Sequence, residues 1–129
     1  MIGFIEGVAR KHGVSRPLQM TLAILNGQTL YAFRYSSEGK SRTLFYSASI
    51  AAMRKHFPDV PTFSDDARAV VSEPLGGIEN VNRFWIEVPE SSAVVIAAGN
   101  ANITQLRPRT DVSARPPAED MGAEKISAH

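Results

Sequence analysis

The chain has 129 residues, 14 Lys and Arg against 13 Asp and Glu, and a formal net charge of +1. An apolar share of 43% and a charged share of 21% are globular values, enough for one domain with a modest core. The near-neutral balance excludes a nucleic-acid binder that neutralises many phosphates, and no apolar run approaches the ~20 residues of a membrane-spanning helix.

Cysteine is absent, which removes disulfides, thiolate metal sites and a cysteine nucleophile together. A reducing cytoplasm fits these features best. The apolar opening is broken by Glu6 and preceded by no basic stretch, so it does not read as a targeting signal.

Residues 1–14 read as a short helix that opens without a capping residue. Phe4 with Val8, and Ile5 with Ala9, stand four apart and predict an apolar face. Gly3 and Gly7 weaken the helix by ~1 kcal/mol each relative to Ala, and Gly13 marks its end. So short a helix is marginal unless it packs against something.

Residues 17–107 carry a β signal. Met20, Leu22 and Ile24 alternate with Gln19, Thr21 and Ala23. After Asn26-Gly27, Leu30, Ala32 and Arg34 alternate with Tyr31, Phe33 and Tyr35. Alternating runs around Asn-Gly predict a hairpin whose two turn residues take positive φ, with the three aromatic side chains on one face. Arg42 to Tyr46 reads as a third strand, and Ser49 to Phe57 as a short helix capped by Ser49 and ended by Pro58. Turn formers fill 58–66, Ala67 to Ser72 is a short β-branched run, and Gly76-Gly77 is a loop. Phe84 to Val88 is another strand. Ser92 to Ala98, a turn at Gly99-Asn100, and Ala101 to Leu106 form a second hairpin. The unbroken apolar run from Ala93 to Ala98 predicts a strand covered on both faces. Residues 108–129, rich in proline and charge, read as a disordered tail.

His12, His56 and His129 are far apart and have no ligand neighbour at helical spacing, so they do not make a metal site. Gly76-Gly77 lacks the Lys and helix of a phosphate loop, no nucleophile-elbow pattern occurs, and Asp65-Asp66 reads as a turn pair. Two segments stand out. Arg34 is a charge inside an apolar strand: it either faces solvent or meets an anionic ligand group, to which its planar fork is suited. Ser72 and Glu73 lie where a strand ends and Pro74 fixes the exit. They either close a simple strand-to-loop turn or deliver a hydroxyl and a carboxylate to a substrate.

The order of these segments carries a resemblance. Leu25-Asn26-Gly27-Gln28-Thr29-Leu30-Tyr31-Ala32-Phe33-Arg34-Tyr35 is followed by Thr43-Leu44-Phe45-Tyr46-Ser47, then Val70-Val71-Ser72-Glu73-Pro74-Leu75, then Trp85-Ile86-Glu87-Val88-Pro89, and a closing hairpin from Val94 to Leu106. This series resembles the later part of class II glutamine amidotransferase domains. The branch it looks most like holds the small stand-alone amidotransferases and γ-glutamyl amide hydrolases, such as the one in ergothioneine biosynthesis. The resemblance covers residues 1–107.

It implies an α+β fold: part of an αββα N-terminal-nucleophile hydrolase sandwich, mostly antiparallel hairpins with one or two short helices. It also implies hydrolysis of glutamine or a γ-glutamyl amide by an N-terminal Cys thiolate. The free α-amino group serves as base, an Asn-Gly pair holds the oxyanion, and no cofactor is called for. Here position 2 is Ile2 and no Cys follows anywhere. The family's nucleophile, glutamine-clamping Arg and oxyanion pair all belong to its front half, and Asn26-Gly27 is a hairpin turn rather than that pair.

The expectation is therefore a C-terminal part that is inactive alone and has no catalytic residue of its own. Arg34, Ser72 and Glu73 would be its substrate-binding residues, and a complementing N-terminal half or self-association would complete it. Neither nucleic acid nor membrane is expected as a partner. The competing expectation is a non-catalytic binding or regulatory module on the same half-fold.

Overall fold

A computed structural model describes residues 1–56, 63–74 and 83–109. Its elements run α1 (Ile2–Lys11), β1 (Gln19–Leu25), β2 (Thr29–Ser36), β3 (Phe45–Ser47), α2 (Ile50–His56), β4 (Val70–Val71), β5 (Trp85–Glu87), β6 (Ser92–Ala97) and β7 (Asn100–Gln105). The expected elements are present within three residues at their ends, the largest shifts being the start of the third strand at Phe45 rather than Arg42, the start of β4 at Val70 rather than Ala67 and the end of α1 at Lys11 rather than residue 14. The readings of Pro58, of Gly76-Gly77 and of the tail beyond Arg109 lie outside the described residues.

The strands form two antiparallel sheets, one in the order β1-β2-β6-β7 and one in the order β4-β3-β5. With two short helices this is a mixed α+β arrangement, as a partial N-terminal-nucleophile hydrolase-like sandwich requires. Strand alternation divides β2 between two faces. Ala32, with Leu30 beside it, meets Leu44, Tyr46 and Val88 of the second sheet region and Val94 and Ile96 of β6. Val88 and Val94 are fully buried, each contributing about 1.5–3 kcal/mol of transfer free energy. Phe33 and Tyr35 point the other way, towards α1. On β6, Ala93 and Val94 belong to opposite faces and both are buried, so this strand is covered on both sides.

Both hairpin turns differ from the sequence expectation. At the first, Gly27 takes positive φ but Asn26 does not. Asn26 instead accepts hydrogen bonds on its side-chain oxygen from the amides of Gln28 (3.3 Å) and Thr29 (2.9 Å), an Asx turn. At the second, Ala97 pairs with Asn100, so the turn is Ala98-Gly99, with φ of 46° and 74°. The mirror-image turn matches strand twist and needs positive φ at both positions, which leaves Ala98 with a Cβ in the left-handed region.

The buried face of α1 is also not the expected one. Gly3 and Gly7 are buried, while Phe4 is 65% exposed and Val8 is exposed. A Cβ on Gly3 would lie 1.7 Å from the carbonyl oxygen of Arg109, so the helix backbone lies directly on the segment after β7. Pro108 and Arg109 thus pack beside α1. The helix ends in a Schellman motif: the amides of Gly13 and Val14 donate to the carbonyls of Arg10 and Ala9, with Gly13 at φ 76°. In α2, the Ser49 hydroxyl accepts from the Ala52 amide, the cap expected from sequence.

Candidate functional site

Arg34 stands on β2 facing the second sheet and is 9% exposed. A buried guanidinium needs compensating charge and acceptors, and the surrounding strands supply them. Its Nε donates to the Ser41 hydroxyl (3.0 Å), and its Nη1 donates to the Glu87 carboxylate (2.5 Å) and the Val88 carbonyl (2.6 Å). The Ser41 hydroxyl and amide in turn donate to Glu90 Oε2, at 2.6 and 2.8 Å. Glu90 Oε2 lies 3.8 Å from Arg34 Nε. Burial pushes the Glu90 carboxyl up, but the Ser41 hydrogen bonds and the Arg34 charge outweigh it and hold the group below the usual carboxylate value. Glu90 Oε1 is buried with no hydrogen-bond partner among the described residues.

This arrangement removes the solvent-facing alternative for Arg34. Among the described residues its guanidinium is largely buried and paired with protein groups. It braces the first sheet against the β5–β6 connection, and two of its three nitrogens are committed to the protein. Sequence reasoning missed Glu87, Glu90 and Ser41. The available signal was Arg34 itself, since a cation in an apolar strand calls for a carboxylate on a neighbouring strand.

Ser72 and Glu73 are exposed immediately after β4. The Ser72 carbonyl accepts from the Thr43 hydroxyl at 2.9 Å. The segment that holds Ser41 against Arg34 therefore also holds Thr43 against Ser72, two residues or about 7 Å further along the chain. The structure joins the three singled-out residues through this segment, without direct contact between Arg34 and the other two.

A second polar cluster lies on the α1 side. The Tyr35 hydroxyl and the Ser37 hydroxyl both donate to Glu6 Oε1, at 2.6 and 2.7 Å. Burial and the adjoining Glu6 carboxylate push the Tyr35 phenol up to about 12. These bonds anchor α1 to the sheet. Beside them is a cavity of about 310 Å³ lined by Glu6, Arg10, Val14, Pro17, Tyr35 and Ser37. Among the described residues there is no group of three or more metal-ligating side chains, and no helix long and apolar enough to cross a membrane.

Comparison with known proteins places this geometry. No family model and no curated protein matches the sequence. A solved structure does: a glutamine aminotransferase class-II domain protein from Silicibacter pomeroyi, with 31% sequence identity and a TM-score of 0.62 over 84% of this chain. The chain is similar to that class II protein in both sequence and fold. It spans only 41% of the neighbour's length. The neighbour supports the class II glutamine amidotransferase resemblance at the level of the family, and the two-sheet α+β arrangement agrees with it.

Proposed function

We propose that the chain is the C-terminal part of a class II glutamine amidotransferase-like amidohydrolase domain that, when complete, hydrolyses glutamine or a γ-glutamyl amide. The observation that carries this reading is the solved neighbour, matched over 84% of this chain but 41% of its own. The absence of any cysteine makes the chain inactive alone, because the thiolate chemistry of such a domain has no substitute here. Ser72 and Glu73, exposed at the end of β4, are the side chains this part presents to substrate. Arg34 contributes by fixing the sheet end on which they stand, through Ser41 and Thr43.

The test is ammonia release from L-glutamine and from a γ-glutamyl amide. The chain alone and its Ile2→Cys variant are both expected to show none above buffer. Turnover by either would refute the reading, since a nucleophile alone does not supply oxyanion donors.

A further inference from the structure

We propose that the cavity between α1 and β1 is a binding site for a small amphiphilic anion, a molecule with an unbranched apolar tail and a single anionic head. The inference is independent of the amidohydrolase reading, because it rests on the lining of the cavity alone.

The cavity has a volume of about 520 Å³, within the range of small-molecule sites. Strand alternation makes its floor. Met20, Leu22 and Ile24 project from one face of β1, and Phe33, in register with Leu22, continues that face on β2. Phe4 of α1 forms a wall. From Met20 to Ile24 the strand covers about 13 Å, the reach of an extended chain of about ten carbons. Phe4, Leu22 and Ile24 are all exposed, so the apolar lining is open to a tail laid along β1.

The rim carries charge of one sign. After β7 the chain passes the cavity with Leu106 and Pro108 half-buried and with Arg107 and Arg109 exposed. Gly3 admits this segment, since the Arg109 carbonyl stands where a Cβ would be. An arginine lays its aliphatic stem on apolar surface while its guanidinium stays in water. Both arginines line the cavity, no carboxylate lines it, and neither arginine is in an ion pair among the described residues. The floor therefore selects an apolar tail. The two guanidinium groups repel a cationic head and attract a carboxylate, sulfonate or phosphate, whose oxygens match their planar fork.

The test is isothermal titration calorimetry of the full-length chain with decanoate, octanoate and decan-1-ol, each kept below the concentration at which it aggregates. Decanoate should bind saturably at one site per chain. Octanoate, two methylenes shorter, should bind about tenfold more weakly. In the double variant Arg107→Gln with Arg109→Gln, decanoate should lose about fivefold while decan-1-ol is unchanged, because exposed ion pairs contribute only a few-fold each. Added salt should weaken decanoate binding to the parent and leave that to the double variant unchanged. Leu22→Gln and, separately, Ile24→Gln should weaken both ligands about fivefold. Circular dichroism confirms that each variant keeps the parent's fold.

No loss of decanoate affinity in the double variant, or an equal loss of decan-1-ol, overturns the proposal, because the arginines then do not read the head. Unsaturable uptake of many molecules per chain also overturns it, as adsorption to apolar surface. Absence of binding does the same, whatever covers the face. Decanoate binding that withstands both Leu22→Gln and Ile24→Gln puts the tail elsewhere and overturns it too.

Discussion

Replacing Arg34 by Ala tests whether the inter-sheet network, rather than a ligand, accounts for a cation in this strand. Removing one partner of a buried pair typically costs about 3–5 kcal/mol, because the remaining charge is left uncompensated. Here Glu87, whose side chain is 52% exposed, can rehydrate, whereas Glu90 and the Val88 carbonyl cannot do so easily. The expected loss is therefore about 3 kcal/mol at pH 7 in urea denaturation followed by circular dichroism.

The pH dependence gives the argument its sign. In the native network the Glu90 carboxyl is held below its unfolded value, so its contribution is present above about pH 4.5 and is lost as pH falls through the folded pKa. In Arg34→Ala the same carboxyl keeps its burial and loses its cation, so acidification should relieve the variant. The stability gap to the parent should narrow between pH 7 and pH 4. A gap below about 1 kcal/mol at pH 7, or one that is unchanged at pH 4, would refute the network as a stabilising unit.

Gly3→Ala raises helix propensity by ~1 kcal/mol yet drives a Cβ into the Arg109 carbonyl, so tryptic cleavage after Arg10 and Lys11 should speed up; a slower rate would show that propensity governs α1. Ala98→Gly should raise stability by about 0.5–1 kcal/mol in thermal melts, since it removes the left-handed Cβ; a drop would mean that glycine entropy outweighs the strain. Ultraviolet titration should find the Tyr35 phenol ionising at about 12. Because its folded value lies above the unfolded 10.0, the stability it contributes holds below pH 10 and is lost from pH 10 to 12. Glu6→Gln should lower that midpoint towards 10, and no change would detach Tyr35 from Glu6.

Sequence by itself determined the elements whose signals are local. Alternation around Asn26-Gly27, the Ser49 cap, the Gly13 stop and the doubly covered run in β6 each report a conformation fixed within a few residues. The order of the segments carried the family resemblance and the two-sheet α+β fold for the same reason: it is a property of the chain.

Tertiary structure decided what depends on neighbours distant in sequence. The inward face of α1 went to Gly3 and Gly7, and at Gly3 the Arg109 backbone approaches too closely for any side chain, a contact 106 residues away that the Phe4–Val8 spacing does not encode. The partners of Arg34 were not legible in its strand because Glu87 and Glu90 lie more than fifty residues further along and meet it only when the sheets stack. A buried charge is satisfied by whatever the fold brings within hydrogen-bond reach, and that assembly is written in the packing rather than in any local stretch of sequence.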